Sequence, residues 1–415
     1  MKQVLVINDS SQPLGGASSL ALKSARLYKE LGLSVTFLTG QSPPEGFEEL
    51  GIDVIALGKE RLLDSPRHVA ASRGFHNFKA QQALSNWIKE HDTPDTVYHM
   101  HNWAQVLSPA IFIPLRRVSE RTIITCHDFF GLCPNGSFTH FNKSSVCELD
   151  PLSTKCLLSQ CDRRNPIHKY WRVARQIHLN TISNLKNGAY TMAYIHRKVE
   201  ERFLKAGFNQ DRGIVIPNTV AAWSETRVPA ENNKTFLFVG RVGADKGADI
   251  ALAAADDANV PLTLAGNGEL LESSMTRYPK AEFLGWTSPS DLSKLAQTAR
   301  CLIVPSRVTE PFGLVILEAA MSGIPVLVSD RAFLATDIER LGMGYAFSIN
   351  QPNDLANKIS QLSQSDSIIK AMSEAGFQGA SGLCMSDADW IKSYREALEG
   401  LLVHSHETEL SAGHC

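Results

Sequence analysis

Residues 301–330 read CLIVPSRVTEPFGLVILEAAMSGIPVLVSD, and this stretch indicates the fold class. It begins and ends with short apolar runs of strand length. Between these runs, Pro311 and Gly313 interrupt the chain before an apolar helix, which Gly323 is expected to end. A strand, a loop, a helix and a second strand in this order predict one repeat of a parallel α/β sheet.

Two carboxylates lie close to the start of this helix. Glu310 is expected on the loop, because Pro311 disfavours a helical conformation in the residue before it, and Glu318 is expected one turn inside the helix. The free N–H groups of a first helical turn carry the positive end of the helix dipole, so the loop is suited to holding a phosphate. Carboxylates accept hydrogen bonds from sugar hydroxyls. The pair therefore suggests a ligand with both hydroxyls and phosphate; the alternative is a capping Glu310 and a solvent-exposed Glu318.

The composition is that of an ordinary globular protein. The chain has 415 residues, 43% of them hydrophobic, and a formal net charge of −2. This length allows two or three domains, and the near-neutral charge gives no indication of nucleic-acid binding. No apolar run reaches about 18 residues, and residues 1–9 are interpreted as a first strand rather than a signal peptide, so a cytoplasmic protein is expected. Eight cysteines in a chain of this length do not resemble a secreted disulfide scaffold.

Short apolar runs alternate with helical patterns along both halves of the chain. The pattern starts at residue 3, stops at a polar linker over 221–234 and then begins again. Such alternation predicts an α/β protein of two facing Rossmann-like domains with a cleft between them. The predicted parts are an N-terminal domain over 1–210 with a cysteine-rich insertion at about 130–165, a C-terminal domain over 211–383, a helix over 384–403 that packs back on the N-terminal domain, and a disordered tail over 404–415.

Glycine pairs follow two of the predicted strands. Gly15 and Gly16 precede a helix, where bare backbone can approach an anion, although a glycine pair is also common in structural turns. Gly266 and Gly268 follow a strand in the second half, where they are suited to lie against a nucleobase or a ribose.

Charged residues follow two other strands. Arg241 leaves a strand end and Lys246 precedes Gly247 at a helix start, which suggests a clamp for a diphosphate; the alternative is two solvent-exposed cations. His127 and Asp128 follow a strand in the first half, and the histidine is interpreted as a general base, a sugar-hydroxyl partner or a packed core residue. The sequence contains no GxGxxG, P-loop or HExxH motif, so a dehydrogenase, kinase or zinc hydrolase has little support.

These motifs resemble, in order and spacing, those of the retaining glycosyltransferases of family 4, which have the GT-B fold. The resemblance covers nearly the whole chain, and it is most specific where Glu310 and Glu318 match the E-x7-E motif of that family. It implies that Glu310 contacts hydroxyls of the donor sugar and that Glu318 contacts the nucleotide ribose. Arg241 and Lys246 would hold the donor diphosphate and stabilise it as a leaving group. By the same resemblance His127 lies beside the transferred sugar, and the other donor-binding residues are Gly15, Gly16, Asn218, Gly266, Gly268, Gly313 and Leu314.

The resemblance implies transfer of a sugar from a nucleotide-diphosphate sugar to an acceptor hydroxyl, with retention at the anomeric carbon. The leaving diphosphate would help to deprotonate the incoming hydroxyl, so neither a protein nucleophile nor a catalytic metal is expected. A glycan or lipid-linked glycan is the expected acceptor, as in polysaccharide assembly. Thr219 departs from the glycine that the family often has, which leaves the identity of the donor open. The alternatives are a nucleotide-sugar epimerase or phosphorylase of the same fold, and a non-catalytic nucleotide-sugar-binding partner protein.

Four cysteines fall in the insertion, namely Cys133, Cys147, Cys156 and Cys161. A long polar loop has little core of its own, and four thiolates could fold it around a structural zinc ion. Their spacing differs from the compact CxxC pairs of strong zinc sites, so free or bridged thiols are the alternative.

A basic segment follows the cysteines. Its aromatic residues, Tyr170 and Trp171, and its cations predict a helix that makes a peripheral membrane contact through residues 163–178; the alternative is a solvent-exposed polar face. The cations are Arg163, Arg164, Lys169, Arg172 and Arg175.

Overall fold

The structure is a computed structural model that describes the backbone of residues 1–13, 15–59 and 64–412, and their side chains as far as residue 403. The chain forms two compact units. The first contains residues 1–137 and 148–217 together with the segment that begins at Asp387, and the second contains residues 138–147 and 218–386. No helix among the described residues is long and apolar enough to cross a membrane.

The first unit is built on a seven-stranded parallel sheet with the strand order β3-β2-β1-β4-β5-β8-β9. Its central strands are almost entirely buried, because helices cover both faces of such a sheet. The strands are β1 Gln3–Asn8, β2 Ser34–Thr39, β3 Asp53–Ala56, β4 Thr96–Met100, β5 Thr122–Cys126, β8 Thr191–Tyr194 and β9 Gly213–Val215. The helices are α1 Gly16–Glu30, α2 Arg67–Phe75, α3 Phe78–His91, α4 Phe112–Leu115, α5 Thr154–Leu158, α6 Pro166–Ser183, α7 Arg197–Lys205 and α15 Asp387–Ala412.

Helix α15 belongs to the first unit although it comes last in the chain. Trp390 and Tyr394 are fully buried, and the Tyr394 hydroxyl lies 2.8 Å from the Thr125 hydroxyl in β5. Lys23 of α1 also pairs with Asp387 at 2.8 Å. The backbone is helical as far as Ala412, so the helix extends past its predicted end at residue 403.

The second unit contains a six-stranded parallel sheet with the order β12-β11-β10-β13-β14-β15. The two strands predicted in residues 301–330 are neighbours in this sheet, and the helix between them ends before Gly323, which has a φ of 79°. The strands are β10 Thr235–Val239, β11 Leu262–Ala265, β12 Glu282–Gly285, β13 Ala299–Val304, β14 Val326–Ser329 and β15 Gly344–Phe347. The helices are α8 Ala248–Asp257, α9 Leu271–Arg277, α10 Pro289–Ala296, α11 Leu314–Met321, α12 Ala335–Arg340, α13 Asp354–Gln364 and α14 Asp366–Gly379.

A short antiparallel hairpin completes the second unit. It consists of β6 Thr139–His140 and β7 Ser145–Val146, and its residues fall inside the predicted insertion at about 130–165. The N–H of Thr309 donates to the Thr139 hydroxyl at 3.5 Å, and the Arg331 guanidinium donates to the carbonyl of Ser144 at 3.4 Å.

Candidate active site

Lys246 and Glu310 form an ion pair in the second unit although they are far apart in the sequence. Nζ of Lys246 lies 2.5 Å from Oε2 of Glu310, and the Ser306 hydroxyl donates to the same oxygen at 3.2 Å. Two backbone hydrogen bonds fix Glu310: its N–H donates to the carbonyl of Arg331, and its carbonyl accepts from the N–H of Phe333. Glu310 is therefore held in place by hydrogen bonds of its backbone and of its carboxylate.

Two helix N-termini follow these charged residues. Gly247 precedes α8 and Gly313 precedes α11, with φ values of 72° and 71°, a region that glycine adopts without strain. A Cβ atom on Gly247 would lie 1.9 Å from the carbonyl oxygen of Pro305, so no larger residue fits there. Lys246 thus lies next to the start of one helix and Glu310 on the loop into the other, as predicted. Free N–H groups at such helix starts favour an anion.

Arg241 lies on the loop that leads to Lys246 but has different partners. Its guanidinium contacts the carboxylate of Asp245, and its Nη1 lies 3.8 Å from Oε2 of Glu269. The side chain is 49% exposed. Because a guanidinium has five N–H donors in a planar fork, these contacts leave donors for an anion.

Glu318 lies one turn inside α11, as predicted, and its carboxylate is oriented by a buried indole. Nε1 of Trp223 donates to Oε2 of Glu318 at 3.2 Å. Trp223 is only 8% exposed, so this N–H needs an acceptor inside the unit. Leu314 is the first residue of α11 and is half-buried.

Gly266 and Gly268 bring the loop after β11 against the loop after β10. A Cβ atom on Gly266 would lie 1.9 Å from the carbonyl oxygen of Gly240, and one on Gly268 would lie 2.2 Å from that of Val242. The N–H of Val242 donates to the carbonyl of Asn267 at 2.9 Å. The close approach of two backbones therefore accounts for both glycines, and it shapes the loop that carries Arg241.

Asn218 is 3% exposed, and its Oδ1 has no hydrogen-bond partner within the described parts of the chain. A buried amide oxygen without a partner is unusual, because burial removes its hydrogen bonds to water. In the first unit, Gly16 is the first residue of α1 and Gly15 precedes it, with open space around the position of a Cβ atom. The residue before this pair lies outside the described residues.

His127 is paired with a second histidine in the first unit. It directly follows β5, and its Nε2 lies 2.9 Å from Nδ1 of His101, which directly follows the neighbouring strand β4. The two rings stack with their centroids 5.2 Å apart. Burial lowers the pKa of His127 to about 3 and holds the pKa of His101 well below its usual value. Both imidazoles are therefore uncharged at neutral pH.

The pKa of Asp128 is raised, whereas the pKa of an ion-paired carboxylate is lowered. Desolvation raises the pKa of Asp128 to about 6, although the N–H of Phe130 donates to its Oδ1 at 2.9 Å and opposes the shift. A carboxyl group of this kind can change its protonation state near physiological pH.

Sequence analysis missed the remaining members of this histidine cluster. Nδ1 of His99 lies 3.0 Å from the Tyr28 hydroxyl and Nε2 lies 2.8 Å from the Thr125 hydroxyl, while its ring centroid is 4.1 Å from that of His101. Burial lowers the pKa of His99 to about 3. The signal was present in TVYHMH, because side chains two residues apart in a strand point to the same face.

Two cysteines of the insertion, Cys156 and Cys161, lie beside a buried lysine. Nζ of Lys169 lies 3.2 Å from Sγ of Cys161 and 3.7 Å from Sγ of Cys156, and Asn135 contacts both Cys133 and Cys161. Lys169 is 1% exposed.

Structural zinc is not supported by this arrangement. Cys147 belongs to the second unit, and Cys133, Cys156 and Cys161 to the first. Across the described residues, no group of three or more His, Cys, Asp or Glu side chains is placed to hold a metal ion. The physical reason is that a buried ammonium and a divalent cation repel one another.

The basic segment forms α6, but it does not present a basic face. Lys169 and Arg175 are buried, and Arg172 pairs with Asp162 at 2.9 Å. The guanidinium of Arg175 donates to two backbone carbonyls, each at 2.7 Å, so it forms hydrogen bonds inside the unit. The prediction of an exposed basic face is wrong for Lys169 and Arg175, whereas Arg172 is half-buried and ion-paired. The outward side chains of α6 are mainly apolar: Ile167 is 79% exposed, and Tyr170 and Ile177 are each 52% exposed.

Solved structures share this architecture over nearly its whole length. A sucrose-phosphate synthase from Thermosynechococcus elongatus superposes with a TM-score of 0.72 at 17% identity, covering 97% of this chain and 100% of that one. HepE from Anabaena, solved in complex with UDP-glucose, superposes with a TM-score of 0.65 at 17% identity, covering 96% and 100%. The chain has the GT-B fold.

The match to a known sequence family lies in the second unit. Residues 221–379 match the family described as glycosyl transferases group 1. The O-antigen chain mannosyltransferase C of Escherichia coli is 28% identical over 183 residues, which are 40% of this chain and 45% of that protein. The chain spans about half the length, or less, of this and similar curated relatives.

Proposed function

We propose that the protein transfers a sugar from a nucleotide-diphosphate sugar to an acceptor hydroxyl, with retention at the anomeric carbon. The observation that carries this proposal is the Lys246–Glu310 pair beside two helix N-termini, inside the region that matches glycosyl transferases group 1. The complex of HepE with UDP-glucose, a protein of the same fold, supports a nucleotide sugar as the donor.

Four charged residues of the second unit have a role in this proposed reaction. Lys246 and Arg241 bind the diphosphate, and they stabilise the negative charge that builds on it as the bond to the sugar breaks. The free N–H groups at the starts of α8 and α11 contribute in the same direction. Glu310 accepts hydrogen bonds from hydroxyls of the sugar and Glu318 from those of the ribose.

Retention follows if the departing diphosphate takes the proton of the incoming hydroxyl on the face that it leaves. The bond from the anomeric carbon to the diphosphate breaks, the bond to the acceptor oxygen forms, and the proton moves to a phosphate oxygen. Cationic side chains neutralise the diphosphate in this scheme, so the reaction is proposed to proceed without a divalent metal.

The proposed acceptor is a glycan or a lipid-linked glycan, because the O-antigen chain mannosyltransferase C is among the relatives. We place the enzyme in the cytoplasm with a peripheral contact to an anionic membrane, made by the exposed side of α6. Ile167, Tyr170 and Ile177 lie on that side, and the exposed Arg163 and Arg164 precede the helix. Apolar side chains flanked by cations suit a lipid surface.

The function is tested by incubating the purified protein with UDP-, GDP- and ADP-sugars, with and without EDTA. The products are followed by proton NMR of the anomeric position, first as hydrolysis and then as transfer to glycan acceptors. We expect one donor to be consumed, an unchanged anomeric configuration, no effect of EDTA, and loss of turnover in Lys246→Ala but not in the exposed control Lys370→Ala. Binding without turnover would favour a non-catalytic partner protein, and a change at a stereocentre of the sugar would favour an epimerase. Inversion at the anomeric carbon would overturn the proposed mechanism.

The membrane contact is tested separately by sedimentation with vesicles of phosphatidylglycerol and phosphatidylcholine. We expect the double variant Ile167→Glu/Ile177→Glu to lose binding to the vesicles. The control Leu50→Glu, at another exposed apolar position of the first unit, should bind them as the unaltered protein does. Equal binding of all three proteins would exclude α6 as the contact.

A further inference from the structure

Arg307 of the second unit joins the loop after β13 to the loop before α8. Its Nη1 donates to the carbonyl of Ala244 at 2.7 Å and to Oδ1 of Asp249 at 2.6 Å, and its Nη2 donates to Oδ2 of Asp249 at 2.7 Å. Its backbone N–H donates to the carbonyl of Asp245 at 2.9 Å. One residue therefore contacts the segment around Lys246 at three points.

The contact between Arg307 and Asp249 has the geometry of a strong ion pair. Two parallel N–H···O bonds join the planar guanidinium to both carboxylate oxygens, which adds orientation as well as attraction. Arg307 is half-buried, and Asp249 is partly exposed. A lysine carries the same charge on a single nitrogen and lacks this planar fork, so the arrangement depends on an arginine.

Asp249 is by itself an unfavourable neighbour for a bound anion. It lies in the first turn of α8, three residues after Lys246. Its carboxylate competes with an anion for the positive end of the helix dipole and repels a diphosphate. The guanidinium of Arg307 neutralises this charge. The guanidinium also fixes the turn that ends at Gly247, because the carbonyl of Ala244 accepts from the N–H of Gly247 as well, at 3.2 Å.

We propose that Arg307 is a positioning residue, which neutralises Asp249 and holds the turn before α8, so that Lys246 and the start of the helix present a net positive charge to the diphosphate of the substrate. The identity of this ligand rests on the proposed function, whereas the order of the turn does not. Arg307 acts through the residues that it binds, and the reacting atoms are contacted by others.

The residue before Arg307 connects it to the ion pair of the candidate site. The Ser306 hydroxyl donates to Oε2 of Glu310 at 3.2 Å, and the same oxygen binds Lys246. Consecutive residues of one loop therefore bind Glu310 and Asp249. The loop that carries Glu310 and the loop before α8 are joined both by the Lys246–Glu310 pair and by Arg307.

The charge role is tested by isothermal titration calorimetry of the full chain with UDP, GDP and ADP. We expect Arg307→Met to weaken binding of the nucleoside diphosphate roughly three- to thirtyfold, because an unfavourable charge at a helix start has about this effect. High salt should narrow the difference, since it screens Asp249. The double variant Arg307→Met/Asp249→Asn should bind within about threefold of the unaltered protein. The control Arg340→Met, which breaks an exposed ion pair with Asp337, should bind normally.

The order of the turn is tested by hydrogen exchange of the same proteins without ligand. We expect faster exchange at the amides of Lys246 and Gly247 in Arg307→Met, because the carbonyl of Ala244 loses one of its two donors, and no change in Arg340→Met. The double variant should exchange as fast as Arg307→Met, because it removes the repulsion without restoring the fork. Arg307→Lys, which keeps the charge, should also exchange faster but bind the nucleoside diphosphate better than Arg307→Met does.

Two results would overturn the proposal. One is unchanged exchange in Arg307→Met, and the other is a loss of affinity that neither Asp249→Asn nor high salt reverses. If exchange changes as expected but no nucleoside diphosphate binds the unaltered protein, the diphosphate role fails together with the proposed function, while the positioning of the turn stands.

Discussion

The ammonium of Lys246 lies 2.5 Å from the carboxylate of Glu310, and so the loops before α8 and α11 are joined by one ion pair. The pair is partly exposed, with 34% of the lysine side chain and 16% of the glutamate side chain accessible. It therefore brings a cation and an acceptor of hydroxyl hydrogen bonds within reach of one ligand.

Removing this lysine should affect turnover far more than folding. For Lys246→Ala we expect a fall in kcat of about a hundredfold or more, because one preorganised group that stabilises developing charge is typically worth this much. Steady-state kinetics with the donor found in the panel would measure it, with Lys370→Ala as the surface control. A loss of less than about threefold would show that Lys246 does not contact the leaving group.

The glycine at the start of α8 should be intolerant of a side chain. Gly247→Ala combines a φ of 72° with a Cβ position 1.9 Å from a carbonyl oxygen, so we expect a loss of stability of about 1–3 kcal/mol or more. Gly382→Ala is the matched control, because nothing lies within 4 Å of its Cβ position. Urea denaturation followed by tryptophan fluorescence compares the two, and equal midpoints would contradict the prediction.

The histidine cluster should make the first unit sensitive to mild acid. His99 and His127 have folded pKa values of about 3 against about 6.5 in an unfolded chain, so below pH 6.5 the unfolded state binds more protons. The contribution of these two histidines to the free energy of unfolding is fully present above pH 6.5 and is lost as pH falls toward 3. The loss between pH 7 and pH 5 is about 2 kcal/mol for each histidine. Asp128, with a raised pKa of about 6, offsets about 1 kcal/mol of this.

Urea denaturation at pH 7 and pH 5 tests this dependence. His99→Gln should lessen the loss between the two pH values, whereas His68→Gln, at an exposed position in α2, should not. The same loss in both variants would show that the cluster is not the origin of the acid sensitivity.

The insertion should not require a metal ion for stability. With the Lys169 ammonium 3.2 Å from Sγ of Cys161, we expect neither EDTA nor added zinc to raise or lower the melting temperature of the first unit. Differential scanning calorimetry measures this. A fall in melting temperature with EDTA that zinc reverses would contradict the lysine-centred arrangement.

The hydroxyl of Tyr394 should contribute measurably to the attachment of α15. Tyr394→Phe removes its hydrogen bond to Thr125 in a fully buried place, so a loss of about 1 kcal/mol is expected. Hydrogen exchange of the amides in α15 would locate the effect. Unchanged exchange would mean that packing of the ring alone holds the helix.

Local patterns in the sequence were sufficient to predict the parts of the fold that depend on neighbouring residues. The two α/β sheets follow from alternating apolar runs, and the loop position of Glu310 follows from Pro311 and Gly313, because these effects act over a few residues. The partner of Glu310 did not follow. Lys246 reaches it only because β10 and β13 are neighbours in the sheet, which is a long-range relationship.

The same distinction applies to the basic segment and to the cysteines of the insertion. A count of cations predicted a basic exposed face on α6, but the direction of each side chain depends on the helix phase and on buried partners such as Asp162 for Arg172. The cysteine spacing suggested zinc, but sequence alone does not show that a lysine from α6 lies beside Cys156 and Cys161. For His99 and His101 the strand alternation was a usable signal, and what was missing was a reason to expect three histidines on neighbouring strands.

The location of α15 has a consequence for how the protein is made on the ribosome. Residues 138–147 and 218–386 have all been synthesised before Trp390, so the second unit can complete its core while the first still lacks the last helix. The part of the chain that is translated first is therefore the last to be finished. Until α15 emerges, the surface that Trp390 and Tyr394 later cover stays open to chaperones and proteases.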